Sequence, residues 1–127
     1  MVKIIGFILS LCLASCSLMA LQEPEVSISD VKVIAIASGD EAEFCRGFTL
    51  TRAQVESYFE RAEEVSFSDL HDEFDYLPCA VKGAMRRADS QCEFVIRAGA
   101  TAEVSCESNQ QFFYGCRSCD DLFQAHP

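Results

Sequence analysis

Residues 79–119 read CAVKGAMRRADSQCEFVIRAGATAEVSCESNQQFFYGCRSC and hold five of the eight cysteines in the chain. Four runs between those cysteines alternate as strands do: Cys79 to Arg86, Cys92 to Arg97, Ala102 to Cys106 and Gln111 to Cys116. Cys92, Phe94 and Ile96 point one way and Glu93, Val95 and Arg97 the other, because successive side chains of a strand leave opposite faces. Turn residues punctuate the runs at Ala88-Asp89-Ser90, Gly99-Ala100-Thr101 and Ser108-Asn109. Connections this short join antiparallel neighbours, so this half of the chain is a meander.

Upstream of it, Thr51 and Gln54 form a capping box and Leu50 and Val55 the matching hydrophobic staple, which predicts a helix beginning at Arg52. Val55, Tyr58, Phe59 and Ala62 recur at helical spacing and form a stripe that must be covered. Glu60, Glu63 and Glu64 crowd the far end, where the helix dipole disfavours anions, so the helix should stop there. Val26 to Ala37 alternates with apolar residues on both faces, which predicts a central or well-covered strand that Ser38-Gly39-Asp40 ends. Pro78 pushes Leu77 out of helical geometry, so the chain enters the cysteine-rich half extended. The expected fold is α+β: an antiparallel β-meander of four to five strands with one amphipathic helix packed on it, stapled by disulfides.

The first 20 residues read as an export signal, with Lys3 as a sparse positive region and Ile4 to Ala14 as an apolar run. That run would span only ~16 Å as a helix, against a ~30 Å hydrocarbon core. Leu13-Ala14-Ser15-Cys16 resembles the bacterial lipobox, which makes Cys16 the lipidated N-terminus and Ser17 a residue compatible with the outer membrane. Two other readings stay open: cleavage after Leu18-Met19-Ala20 to give a soluble protein, and an uncleaved anchor over the charge-free run from Ile4 to Leu21. All three put residues 21–127, after a polar tether at Gln22 to Glu25, outside the cytoplasm as a single small disulfide-rich domain.

Cys12 leaves with the leader and Cys16 is either acylated or also lost, so six of the eight cysteines remain for the domain: Cys45, Cys79, Cys92, Cys106, Cys116 and Cys119. An even count in an exported domain reads as three disulfides, with fifteen pairings open. A hairpin turning at Gly99 puts Cys92 nearly opposite Cys106, which makes that pair the first expectation, and Cys45 then reaches across from the helical half. Cys116-Arg117-Ser118-Cys119 has redox spacing, but too few residues follow it for the long helix that such motifs open. Zinc would want a second close cysteine pair, which the chain lacks.

The formal charge is -10, and removal of Lys3 with the leader makes it -11, from 9 basic and 20 acidic residues. Such a balance argues against nucleic acid, whose phosphates need a basic footprint, and permits a cationic protein partner or no partner at all. His71, Asp72, Glu73 and Asp75 are the candidate binding residues, since they cluster groups able to bind a cation or move a proton. Against that stands their reading as a solvated loop in an acidic chain. His126 sits one residue from the terminus. There is no nucleophile elbow and no Gly-rich phosphate loop, and neither a catalytic residue nor a cofactor is expected. Met85-Arg86-Arg87 reads as a solvated turn, and Phe112-Phe113-Tyr114 puts aromatic rings on both faces of one strand.

His71 to Cys79, Ile96 to Glu103 and the terminal Gly115-Cys116 together resemble a group of small envelope proteins and lipoproteins of Gram-negative bacteria, over roughly residues 44–119. The resemblance implies the compartment and carries no activity and no functional residue. The leading expectation is a non-enzymatic binding module at the cell envelope, tethered to the membrane through its lipid. An inhibitor or immunity protein against a cationic enzyme or toxin is one alternative. A small hydrolase or metal-dependent enzyme built on the His71, Asp72, Glu73 and Asp75 cluster is another, and a structural envelope component is a third.

Overall fold

A computed structural model describes residues 27–36, 45 and 47–123. The leader with Cys16, the polar tether, the Ser38-Gly39-Asp40 break and His126 lie outside the described residues. In chain order the elements are β1 (Ile28–Ile36), α1 (Arg52–Arg61), β2 (Glu63–Val65), α2 (Phe67–Glu73), β3 (Ala80–Arg87), β4 (Ser90–Arg97), β5 (Thr101–Cys106) and β6 (Gln110–Gly115). One six-stranded sheet has the order β1-β3-β4-β5-β6-β2, and every pairing in it is antiparallel.

The meander β3 to β6 forms as its alternation predicts, and its register lines up three inward rows. Val81, Ile96, Ala102 and Tyr114 make one; Gly83, Phe94, Val104 and Phe112 the next; Met85, Cys92 and Cys106 the third. The helix α1 begins at Arg52 with Thr51 as its cap, and both hydrogen bonds of the capping box are present. Val55, Tyr58 and Phe59 bury themselves on the inward rows. The Phe59 ring meets Phe94 and Tyr114 edge-on, with centroids 5.8 and 5.4 Å away. Such contacts add about 0.5–1.5 kcal/mol each beyond the area they bury.

Three expectations need correction. The sheet has six strands rather than four to five, because the chain after α1 turns extended at Ala62 and pairs Glu63, Glu64 and Val65 with Gly115, Tyr114 and Phe113. Glutamates at the end of a helix would face its negative pole, whereas the edge of β6 offers their backbone groups partners. A second helix, α2, joins the single one expected: Ser66 caps it by accepting from the Asp69 amide at 3.1 Å. Finally, β1 is an edge strand rather than a central one. Two register shifts interrupt it, at Ser29/Lys32 and Val33/Ala35, and Asp30 takes φ 52° within the first. Val31 still turns inward, while Ile34 at the second shift is 70 % exposed. Irregularities of this kind keep an open edge from templating aggregation.

All six cysteines of the domain pair. Cys92 joins Cys106, directly opposite in the ladder with Cα atoms 4.1 Å apart, close to the spacing of a non-hydrogen-bonded antiparallel pair. Cys45 reaches the start of β3 at Cys79, and Cys116 closes on Cys119. Three bridges are the chemistry of an oxidising compartment.

Tyr58 is completely buried, and its hydroxyl donates to the Ala100 carbonyl at 2.9 Å, with the Tyr114 carbonyl 3.3 Å away. Burial pushes its phenol far above the ordinary range, and the neighbouring Tyr114 adds to the effect. The folded chain therefore keeps a proton that the unfolded chain loses near pH ~10. Stability from this group is complete below that pH and falls above it by about 1.4 kcal/mol per pH unit. Tyr58→Phe should remove this alkaline slope from urea midpoints and cost about 0.5–1.5 kcal/mol at neutral pH, since the Ala100 carbonyl loses the hydroxyl but keeps the Cys116 amide as a donor at 2.9 Å.

The disulfides should rank by the loops they close, with sequence separations of 34, 14 and 3. Paired Cys→Ala variants are expected to lose about 4, 3 and 2 kcal/mol for Cys45–Cys79, Cys92–Cys106 and Cys116–Cys119 respectively, in urea unfolding under non-reducing conditions.

Candidate binding surfaces

The sheet is covered unequally. On the face away from α1, cover comes from α2 and the segment that follows it to Pro78, here called the strap. Phe67 at the start of α2 meets Phe113 edge-on at 5.4 Å, and the Phe74 ring lies on Gly115. A Cβ at residue 115 would collide with that ring, and one at Gly99 would collide with the Asp75 carbonyl. These two glycines are what allow the strap to lie against the end of the sheet.

His71, Asp72, Glu73 and Asp75 all fall on α2 and the strap, and all four are exposed. They do not converge on one point. His71 stacks on Phe67 one turn back, with centroids 6.0 Å apart, and Glu73 pairs with Arg117 beyond β6. Asp75 contributes its backbone at Gly99. Among the described residues no three His, Cys, Asp or Glu side chains are grouped closely enough to hold a metal ion. Also among the described residues, no helix is long and apolar enough to cross a membrane.

On the other face, a cleft of about 540 Å³ opens between α1 and the sheet. Phe59 and Tyr114 form its floor, Ile28 and Ala62 its apolar walls, and Glu56, Glu60 and Glu64 its rim. Glu56 and Glu60 sit one helical turn apart, a like-charge spacing that costs a helix a few tenths of a kcal/mol. Arg52 lies 2.9 Å from Glu56 in the i,i+4 arrangement and offsets part of that.

Sequence reading missed Arg87 here. Rather than a solvated turn, Met85-Arg86-Arg87 closes β3 with Met85 in the core and the Arg87 side chain only 14 % exposed. Its guanidinium lies 3.5 Å over the Phe112 ring, donates to the Tyr114 hydroxyl at 2.8 Å and reaches Glu64 at 3.2 Å. A planar cation on an aromatic face with a carboxylate at one edge is the arrangement that arginine satisfies and lysine does not. The period-two alternation carried the signal, because Arg87 has the parity of the inward residues Val81, Gly83 and Met85.

At the far end of α1, Arg61 grips the loop closed by Cys116 and Cys119. It donates to the Ser118 carbonyl at 3.2 Å and to both carboxylate oxygens of Asp121. The hydrogen bond from Arg61 holds the Asp121 carboxyl below its usual range. The contact is thus present at neutral pH and lost as pH falls through that lowered value. Both sulfurs of the loop are buried, so it locks the chain behind β6 rather than presenting a thiol.

No protein-family model, curated protein or solved structure matches the chain.

Arg87→Lys should be costly although charge is conserved, because the ammonium cannot stack on Phe112 while meeting both Tyr114 and Glu64. A loss of about 1–3 kcal/mol in thermal or urea unfolding is expected, close to that of Arg87→Ala.

Proposed function

We propose that this chain is an exported cell-envelope lipoprotein that acts by binding rather than catalysis and that its partner is a cationic protein. The observation that carries the reading is the acidic cleft. Its aromatic floor accepts the methylene stem of a lysine or arginine, and Glu60 on its rim meets the charged end, flanked by Glu56 and Glu64, which Arg52 and Arg87 already pair on one side. Arg87, stacked on Phe112 and paired with Glu64, is an example from the chain itself of a guanidinium held by these residue types. A net charge of -10 would steer a basic partner toward the surface and raise its on-rate at low ionic strength.

Three disulfides and the resemblance to small envelope lipoproteins support export, and the lipobox-like Leu13-Ala14-Ser15-Cys16 supports an acyl anchor at Cys16 facing the periplasm. A rigid, covalently stapled domain also suits an inhibitor or immunity protein, since preorganised surfaces lose little entropy on binding.

Immobilised wild-type protein should retain a basic protein from periplasmic extract that elutes as salt is raised. Glu56→Gln with Glu60→Gln should weaken that retention about tenfold without lowering the melting temperature. Salt-insensitive retention, or retention of acidic proteins only, would sink the proposal. Mass spectrometry of the mature N-terminus tests the anchor, and a diacylated Cys16 is the expected result.

A further inference from the structure

Four large apolar side chains stand exposed among the described residues, and three of them, Phe67, Tyr76 and Leu77, fall within residues 67–77. Phe67 is 62 % and Tyr76 73 % exposed, yet neither ring is loose. Phe67 is held between the His71 ring stacked at 6.0 Å and Phe113 edge-on at 5.4 Å. Tyr76 lies against the Arg97 guanidinium at 5.0 Å, and Phe74 between them is covered by Arg117 at 4.9 Å. Exposed aromatic rings already fixed in one orientation are the residues that anchor protein interfaces, because docking onto them orders nothing further.

The same eleven positions carry Asp69, Asp72, Glu73 and Asp75, all exposed, and among the described residues only Glu73 of these is paired with a cation, Arg117. Apolar anchors rimmed by unneutralised carboxylates fit one kind of occupant, an extended protein segment that alternates basic and apolar side chains. Arginine on such a segment can lie on an exposed ring while its neighbour meets a carboxylate. An anionic lipid surface would be repelled by the same rim, and a second copy of this chain would bring another -10 of charge against it.

We infer that α2 and the strap, Phe67 to Leu77, form the docking surface for a basic segment of the protein partner, with Phe67 and Tyr76 as its anchors. This rests on the reading of the chain as a binder of cationic protein, and it adds a second surface on the opposite face of the sheet from the cleft.

The test follows backbone amide shifts of isotope-labelled mature protein at low salt as two probes are added: a short arginine–glycine peptide carrying one central leucine, and the same peptide with glycine in its place. Shifts centred on residues 67–77, stronger with the leucine peptide, are expected. Phe67→Ser with Tyr76→Ser should then weaken binding about tenfold or more. Asp72→Asn with Asp75→Asn leaves every ring in place and should flatten the salt dependence, which keeps the inference testable should the ring variant fold poorly. Shifts centred on Glu56, Glu60 and Glu64, or spread over the whole acidic surface, would overturn the docking surface while leaving the general reading standing. So would tighter binding of these residues to vesicles rich in anionic lipid, or their burial in a dimer. If neither peptide binds at low salt, both readings fall.

Discussion

Val55, Tyr58 and Phe59 descend from one helix onto the inward rows of the sheet, and the Tyr58 hydroxyl ties the Ala100 turn to that helix across 42 positions of sequence. Everything else is arranged around this single packed face. Phe123 reaches back to the edge of the Tyr58 ring at 5.9 Å and stacks on Phe48 at 6.0 Å, so the segments on either side of the fold close on the same aromatic group. A hydroxyl in such a place must have a partner, because a buried donor or acceptor left unsatisfied costs about 1–3 kcal/mol. Among the described residues no buried side-chain polar atom lacks one.

One well-covered face does not close a six-stranded sheet, and three buried disulfides, two of them within the apolar core itself, tie its parts together. Cys45–Cys79 anchors the connection leading to α1 onto the start of β3, and Cys92–Cys106 clamps β4 to β5 at the end away from their turn. Cys116–Cys119 holds the chain after β6 under the end of α1, where Arg61 grips it. Cross-links lower the entropy of the unfolded chain, which matters most for a domain whose apolar interior is modest. The edges need separate protection: shifts in register along β1 and the brevity of β2 limit what another strand can pair with.

The two candidate surfaces follow from this asymmetry. Where α1 covers the inward face, its outer carboxylates and the end of the sheet leave an acidic cleft over buried rings. Where α2 covers only the margin of the opposite face, aromatic side chains reach the surface and are held by arginines from the sheet and the chain beyond it. In both places a cation meets an aromatic ring. The chain uses Arg87, Arg97 and Arg117 in this way for its own cohesion.

Local signals were enough for the elements that local chemistry decides. The capping box at Thr51, the alternation from Cys79 onward and the turn at Gly99 specify α1, the meander and the Cys92–Cys106 pair, because each depends on residues near one another in sequence. The same kind of signal, Ser66 with Asp69, was present for α2 and is easily passed over in a stretch so rich in acid. Only the tertiary structure could put β1 at an edge, recruit Glu63 to Val65 as a sixth strand and seat the Arg87 guanidinium on the Phe112 ring, since each outcome depends on which distant backbone or ring has a free side. It also decided that His71 and Glu73 point to separate partners, Phe67 and Arg117, although they stand two residues apart in the chain. Spacing along a sequence sets which groups are near one another, whereas their direction is set by what the fold brings to meet them.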